Sequence, residues 1–127
     1  MTGVVLDASA LLAAIQSEPG AETVGEALPE AAVSTVNLSE VVAKLADWGV
    51  PEAEIEELLT GFGLEVHPFD ETQAFAAGFL RPATRSAGLG LGDRACLALG
   101  TALGRPVLTT DRSWAALDLS IEVRTLR

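Results

Sequence analysis

The sequence predicts an α/β domain: a central parallel sheet of four to five short strands with helices on both faces. Three observations predict it. Short apolar runs alternate with longer amphipathic ones along the whole chain. The length, 127 residues, suits one domain over residues 1–127, with no internal repeat, linker or low-complexity segment. Hydrophobic residues make up 49% of the chain and charged residues 20%, the balance of a globular core and not of a disordered chain.

The elements follow in order. Val4 to Leu6 is a short apolar run, and a helix follows from about Ala8 to Gln16. The stretch EPGAE at 18–22 breaks it, and Ala21 to Leu28 forms a second short helix. Ala32–Val33 is the next strand. Leu38, Val41, Val42 and Leu45 repeat at i, i+3, i+4, i+7, one apolar helix face that Gly49 ends. Pro51 suits the first turn of another helix, whose stripe is Ile55, Leu58, Leu59 and Phe62. LEVHPF at 64–69 alternates as a strand does and stops at Pro68. Asp70 caps a helix to about Leu80, with Gln73 at the capping-box position. RPATRSAGLGLG at 81–92 is the one long irregular stretch. A helix from about Asp93 to Leu103, a strand at Val107–Leu108, a short helix at 112–117 and a strand from Ile121 to Val123 complete the chain.

Composition excludes several classes. Eighteen acids against eight bases give a formal net charge of −10, so whole-surface attraction to nucleic acid is not the main binding term. No run approaches the 18 or more apolar residues of a membrane helix. The opening MTGVVLDAS has no basic n-region and no small-residue cleavage pattern, so no signal peptide is expected. Cys96 is the single cysteine, which forbids an internal disulfide and fits a reducing, cytoplasmic setting. It shares a helical stripe with Leu99, Gly100 and Leu103 and reads as a core residue. Trp48 and Trp114 read as packing residues at helix ends, and His67 as a strand-end residue without zinc partners.

The acids carry the chemistry. Asp7 and Asp111 follow strands, at the carboxyl ends where ligands bind in parallel sheets. Glu40 and Asp93 lie in early helix turns. Taken singly each has a plain reading. Asp7 and Asp111 can cap helices, Glu40 can be a solvated side chain or the capping-box partner of Asn37, and Asp93 can favour a helix start. As a set they say more, because a parallel sheet can gather all four at one edge. Two unit charges about 5 Å apart at an effective dielectric near 20 repel by about 3 kcal/mol. Such a site persists by protonation or by binding a hard cation, and Mg²⁺ and Mn²⁺ take carboxylate and water oxygens. Arg94 and Arg112 each directly follow one of these acids, and Arg81 and Arg85 lie in the loop before Asp93. Arginines beside a carboxylate–metal site suit a phosphate-ester substrate, although each can also pair with a local acid.

These residues carry a resemblance that covers essentially the whole chain. VVLDASALLA, VNLSEVVAKL, LRPATRSAGLGLGDRACLAL and PVLTTDRSW resemble the PIN domain ribonucleases, specifically the VapC toxins of bacterial toxin–antitoxin pairs. The resemblance implies a PIN-like fold and a metal-dependent endoribonuclease. Asp7, Glu40, Asp93 and Asp111 would hold one or two Mg²⁺ or Mn²⁺ ions and form the catalytic set. Thr109 and Ser9 would hydrogen-bond behind them, and Arg81, Arg85, Arg94 and Arg112 would meet the RNA. In-line attack of water would leave a 5′-phosphate and a 3′-hydroxyl. The implied partners are RNA, a VapB-type antitoxin and a second copy in a homodimer, in the bacterial cytoplasm and off the membrane. A mean hydropathy of +0.35 agrees with apolar surface left for partners, and the helices at 38–47 and 51–62 are expected to supply much of it. Many relatives carry Ser where this chain has Gly90.

Rival readings fit less well. A phosphotransfer receiver domain wants a lysine at a late strand end, and the only lysine, Lys44, lies mid-helix. An Asp-nucleophile phosphatase wants a second Asp two residues after the first, where this chain has Ser9. A non-catalytic interaction module on the same scaffold would have no use for the complete acidic set.

Overall fold

The computed structural model describes residues 3–127; Met1 and Thr2, which open the stretch read for a signal peptide, lie outside the described residues. Five parallel strands form one sheet in the order β3-β2-β1-β4-β5. They are β1 (Val4–Leu6), β2 (Ala31–Ser34), β3 (Glu65–His67), β4 (Val107–Thr109) and β5 (Val123–Thr125). The helices are α1 (Ala8–Ile15), α2 (Ala21–Ala27), α3 (Thr35–Asp47), α4 (Glu52–Gly61), α5 (Glu71–Phe79), α6 (Arg81–Thr84) and α7 (Leu91–Leu103). Tighter turns at Leu28–Glu30, Arg85–Ala87 and Arg112–Ala116 complete the connections.

Side-chain alternation along the strands sets the two cores. Val4, Leu6 and Val33 face one side, where they pack with Leu11 of α1, Val24 of α2, Val41 and Leu45 of α3 and Ile55 of α4. Val5, Ala32 and Val107 face the other, against Leu89, Cys96, Leu97 and Leu99 and the buried Trp114. Each large apolar side chain removed from water contributes about 1.5–3 kcal/mol. Cys96 is fully buried as a core residue. Trp48 is not packed away as expected: it is 48% exposed at the end of α3.

The fold differs from the sequence expectation at four further places. The stretch 81–92 is not irregular throughout. Pro82 sits in the first turn of α6, Thr84 Oγ1 donates to Leu80 O at 2.8 Å, and Gly88 closes the following turn at φ +69°. Only Thr84, Leu89 and Gly92 of this stretch are buried, so no apolar period announces the turns. Second, α7 begins at Leu91 and not at Asp93, which lies inside its first turn. Third, β5 is shifted to Val123–Thr125, because Val107 pairs with Val123, while Ile121 packs from a loop. Fourth, Val42 and Leu58 leave their helical stripes and are exposed at 38% and 37%.

The strand order places a switch point at the centre. From β1 the chain moves outward through β2 to β3, then returns to the opposite side of β1 for β4 and β5. The winding direction reverses at the carboxyl ends of β1 and β4, the place where ligands bind in open parallel sheets.

Candidate active site

Asp7 follows β1 at that switch point as the N-cap of α1. It is only 3% exposed. Its Oδ1 accepts from Ser9 Oγ at 2.7 Å and from the Ala10 amide at 2.8 Å, and its Oδ2 accepts from Thr109 Oγ1 at 2.6 Å. Thr109 ends β4 and is fully buried, so the acid after one strand is tied to the hydroxyl of its neighbour. Thr109 Oγ1 also accepts the Asp111 amide at 3.1 Å, and Ser9 Oγ accepts the Thr110 amide at 3.0 Å. Ser9 and Thr109 thus both donate to the Asp7 carboxylate.

Asp111 is exposed and caps the Arg112–Ala116 turn. Its Oδ1 accepts from the Ser113 amide at 2.9 Å and from Ser113 Oγ at 2.7 Å. Asp93 is half-buried in the first turn of α7, where its Oδ2 accepts the Gly90 amide at 3.1 Å. Gly90 has no side chain to answer, so only one half of a capping box exists. Glu40 lies on α3, whose N-cap is Ser34 and not Asn37. Asn37 instead uses its side-chain Nδ2, which donates to Glu40 Oε1 and to Gly92 O, each at 2.9 Å. The Glu40 carboxylate rests where a Gly92 side chain would begin, one residue before Asp93.

Among these acids, Asp7 feels the charge of Asp93, and Asp93 feels that of Asp111. Burial pushes the Asp7 carboxyl up to about 6, with the Asp93 charge adding to it and the hydrogen bonds from Thr109, Ser9 and Ala10 opposing. Burial also raises Asp93, and Asp111 raises it further, while the Gly90 amide and Arg94 lower it. Buried Cys96, raised chiefly by desolvation, is raised further by Asp7, Asp93 and Glu40. The donors are all hard carboxylate oxygens, the chemistry of Mg²⁺ and Mn²⁺. As the side chains stand, among the described residues no three or more His, Cys, Asp or Glu are gathered into a ready metal cage.

The arginines are more dispersed. Arg81 and Arg85 are exposed in and after α6, and Arg81 Nη1 lies 3.5 Å from Leu89 O, just before Gly90. Arg94 Nη1 donates to Ala77 O of α5 at 3.1 Å, and Arg112 Nε to Arg127 O at 2.7 Å. Sequence reasoning missed Gly92 and Ser113. The Asp-x-Ser spacing of Asp111 and Ser113 is a local signal for such a turn; nothing local marks Gly92.

The fold is a five-stranded parallel sheet, and a family model described as PIN domain matches residues 4–119. The chain belongs to the PIN domain family. It is similar to Ribonuclease VapC42 of Mycobacterium tuberculosis, 33% identical over 126 residues, covering 91% of this chain and 96% of that protein. A VapC ribonuclease of Mycobacterium bovis matches at the same identity and coverage. Among solved structures, a DNA-bound VapBC from Salmonella typhimurium superposes with a TM-score of 0.75 at 19% identity, covering 100% of each chain. A toxin–antitoxin complex from Klebsiella pneumoniae gives 0.76 at 17% identity, covering 98% of each. At those identities the structural likeness is one of fold. Among the described residues no helix is long and apolar enough to cross a membrane.

Proposed function

We propose that this chain, as one domain over residues 1–127, is a Mg²⁺- or Mn²⁺-dependent endoribonuclease and the toxin of a cytoplasmic toxin–antitoxin pair. The observation that carries this reading is Asp7, buried on three donors at the carboxyl end of β1 and feeling the charge of Asp93, which in turn feels Asp111. Relatives at 33% identity that are named ribonucleases support it. These four acids would hold the cation, which when bound activates water and offsets negative charge building on the phosphate. Thr109, Ser9 and the Ala10 amide hold the Asp7 carboxylate still, so it needs no reorganisation when a cation arrives. Arg81 and Arg85, exposed beside the α7 start, draw the RNA phosphates toward an otherwise acidic surface. Arg94 and Arg112 each hold a backbone carbonyl and have further donors for the same task.

The test is direct. Purified free of antitoxin, the protein should cleave RNA with Mg²⁺ and leave 5′-phosphate ends. EDTA or Asp7→Asn should stop cleavage. A folded parent that cuts no RNA under any divalent cation would favour the non-catalytic module instead.

Two apolar areas support the partner reading. A groove of about 450 Å³ between α3 and α4 is lined by Leu38, Val42, Ala46, Ile55 and Leu59, with Glu52 and Glu56 beside it. It fits an antitoxin segment that brings apolar side chains and a basic residue for those acids. Val42 and Leu58, left out of the core, are exposed for the same use. A second face was not expected from sequence: on α5, Phe75 and Phe79 are 61% and 77% exposed with ring centroids 6.1 Å apart. It suits the second copy of a homodimer. Ala46→Glu should weaken antitoxin binding by at least about 10-fold and leave RNA cleavage unchanged, as a buried unpaired charge costs more than 1.4 kcal/mol. Calorimetric titration checks it. Phe79→Glu should turn a micromolar dimer into a monomer by sedimentation; a parent already monomeric there refutes the dimer.

A further inference from the structure

We infer that Asn37 is a positioning residue that fixes Glu40 for cation binding. The inference rests on the proposed metal site and extends it. Asn is a poor helix former, and α3 already has its cap in Ser34, whose Oγ accepts the Val36 amide at 3.2 Å. The fold therefore does not need Asn37 to start the helix. Yet it is 1% exposed, at the contact between α3 and α7.

Its amide is oriented by its surroundings. Glu40 Oε1 and Gly92 O are both acceptors, so the group facing them is the NH₂, and both of its protons are engaged at 2.9 Å. Oδ1 points elsewhere, buried and without a hydrogen-bond partner. A buried polar side chain left half-satisfied is a cost that core packing alone would select against. What the arrangement achieves is specific. One proton holds an exposed, rotamer-rich glutamate, and the other holds the α7 turn that carries Asp93. The absence of a side chain at Gly92 leaves the space in which the Glu40 carboxylate lies. The Asn37 amide thus sets the spacing between an acid of α3 and an acid of α7.

The experiment measures Mn²⁺ binding directly, by calorimetry and by the electron paramagnetic signal of free Mn²⁺, without relying on turnover. Asn37→Leu keeps the volume and removes both donors; Asn37→Ser replaces it if the leucine variant does not fold by circular dichroism. The expected result is a folded protein whose Mn²⁺ affinity falls about 10- to 100-fold, the usual effect of losing a partner behind a metal ligand. In a Glu40→Gln background the same change should add less than about threefold, because the group it positions is already gone. An Asn37 effect that persists in full in the Glu40→Gln background marks a plain structural staple and overturns the inference. So does unchanged Mn²⁺ affinity where Glu40→Gln alone weakens it. A folded parent that binds no Mn²⁺ overturns this inference together with the metal site beneath it.

Discussion

Asp93→Asn is expected to reduce Mg²⁺-dependent RNA cleavage more than about 100-fold and, in EDTA, to raise the melting temperature. The first effect exceeds the 10- to 100-fold loss typical of partners behind a metal ligand, because Asp93 would be a ligand itself. The second follows from crowding. Asp93 is half-buried, feels the Asp111 charge, and adds to the upward shift of Asp7. Asn keeps the shape and the acceptor for the Gly90 amide but carries no charge. It gives up about 0.3–1 kcal/mol of interaction with the α7 dipole. The relieved repulsion is about 3 kcal/mol for a pair about 5 Å apart, and solvent in the open cleft reduces it severalfold, to at least as much as the dipole loss. Millimolar Mg²⁺ should stabilise the parent more than the variant, since only the parent would have every proposed ligand. Calorimetric melts of both proteins, with and without Mg²⁺, decide it. A variant melting well below the parent in EDTA would make Asp93 mainly a structural acceptor for the turn.

The second large effect is on pH. Asp7 titrates at about 6 in the folded protein against 3.8 for the ordinary carboxyl. The folded state therefore holds a proton that the unfolded chain has already released. Stability from this group is full below about pH 4, falls as pH rises through 6, and stays low above it. The difference of about 2 units corresponds to about 3 kcal/mol in the metal-free protein. Asp7→Asn has no carboxyl to titrate, and Asn still caps α1. Urea unfolding in EDTA at pH 4, 5, 6 and 7 should show the parent losing stability relative to the variant across that range. A parent-to-variant difference that stays constant would mean that the Thr109, Ser9 and Ala10 donors fully offset the burial of the charge. Mg²⁺ at pH 7 should recover part of the loss, since the cation takes the place of the proton.

Much of this was legible locally. The strands Val4–Leu6 and Val107–Leu108, the stripes of α3 and α4, and the Asp70 cap on α5 rest on spacings of two to four residues, which propensity and periodicity report. The stretch 81–92 was not legible, because its buried residues, Thr84, Leu89 and Gly92, are too few to form a period. Asn37 was visible as a neighbour of Glu40, but its reach to Gly92, 55 residues away, was not.

By itself the sequence determined the alternation of strand and helix, the parallel class, and the presence of four acids at strand ends and in early helix turns. Tertiary structure alone decided that β4 returns beside β1, which brings Thr109 within 2.6 Å of Asp7 across 102 residues of chain. It also decided that Val42 and Leu58 face solvent and that β5 pairs from Val123. Local sequence encodes which face of an element is apolar. Which neighbour covers that face, and which acid it brings along, depends on packing between segments far apart in the chain.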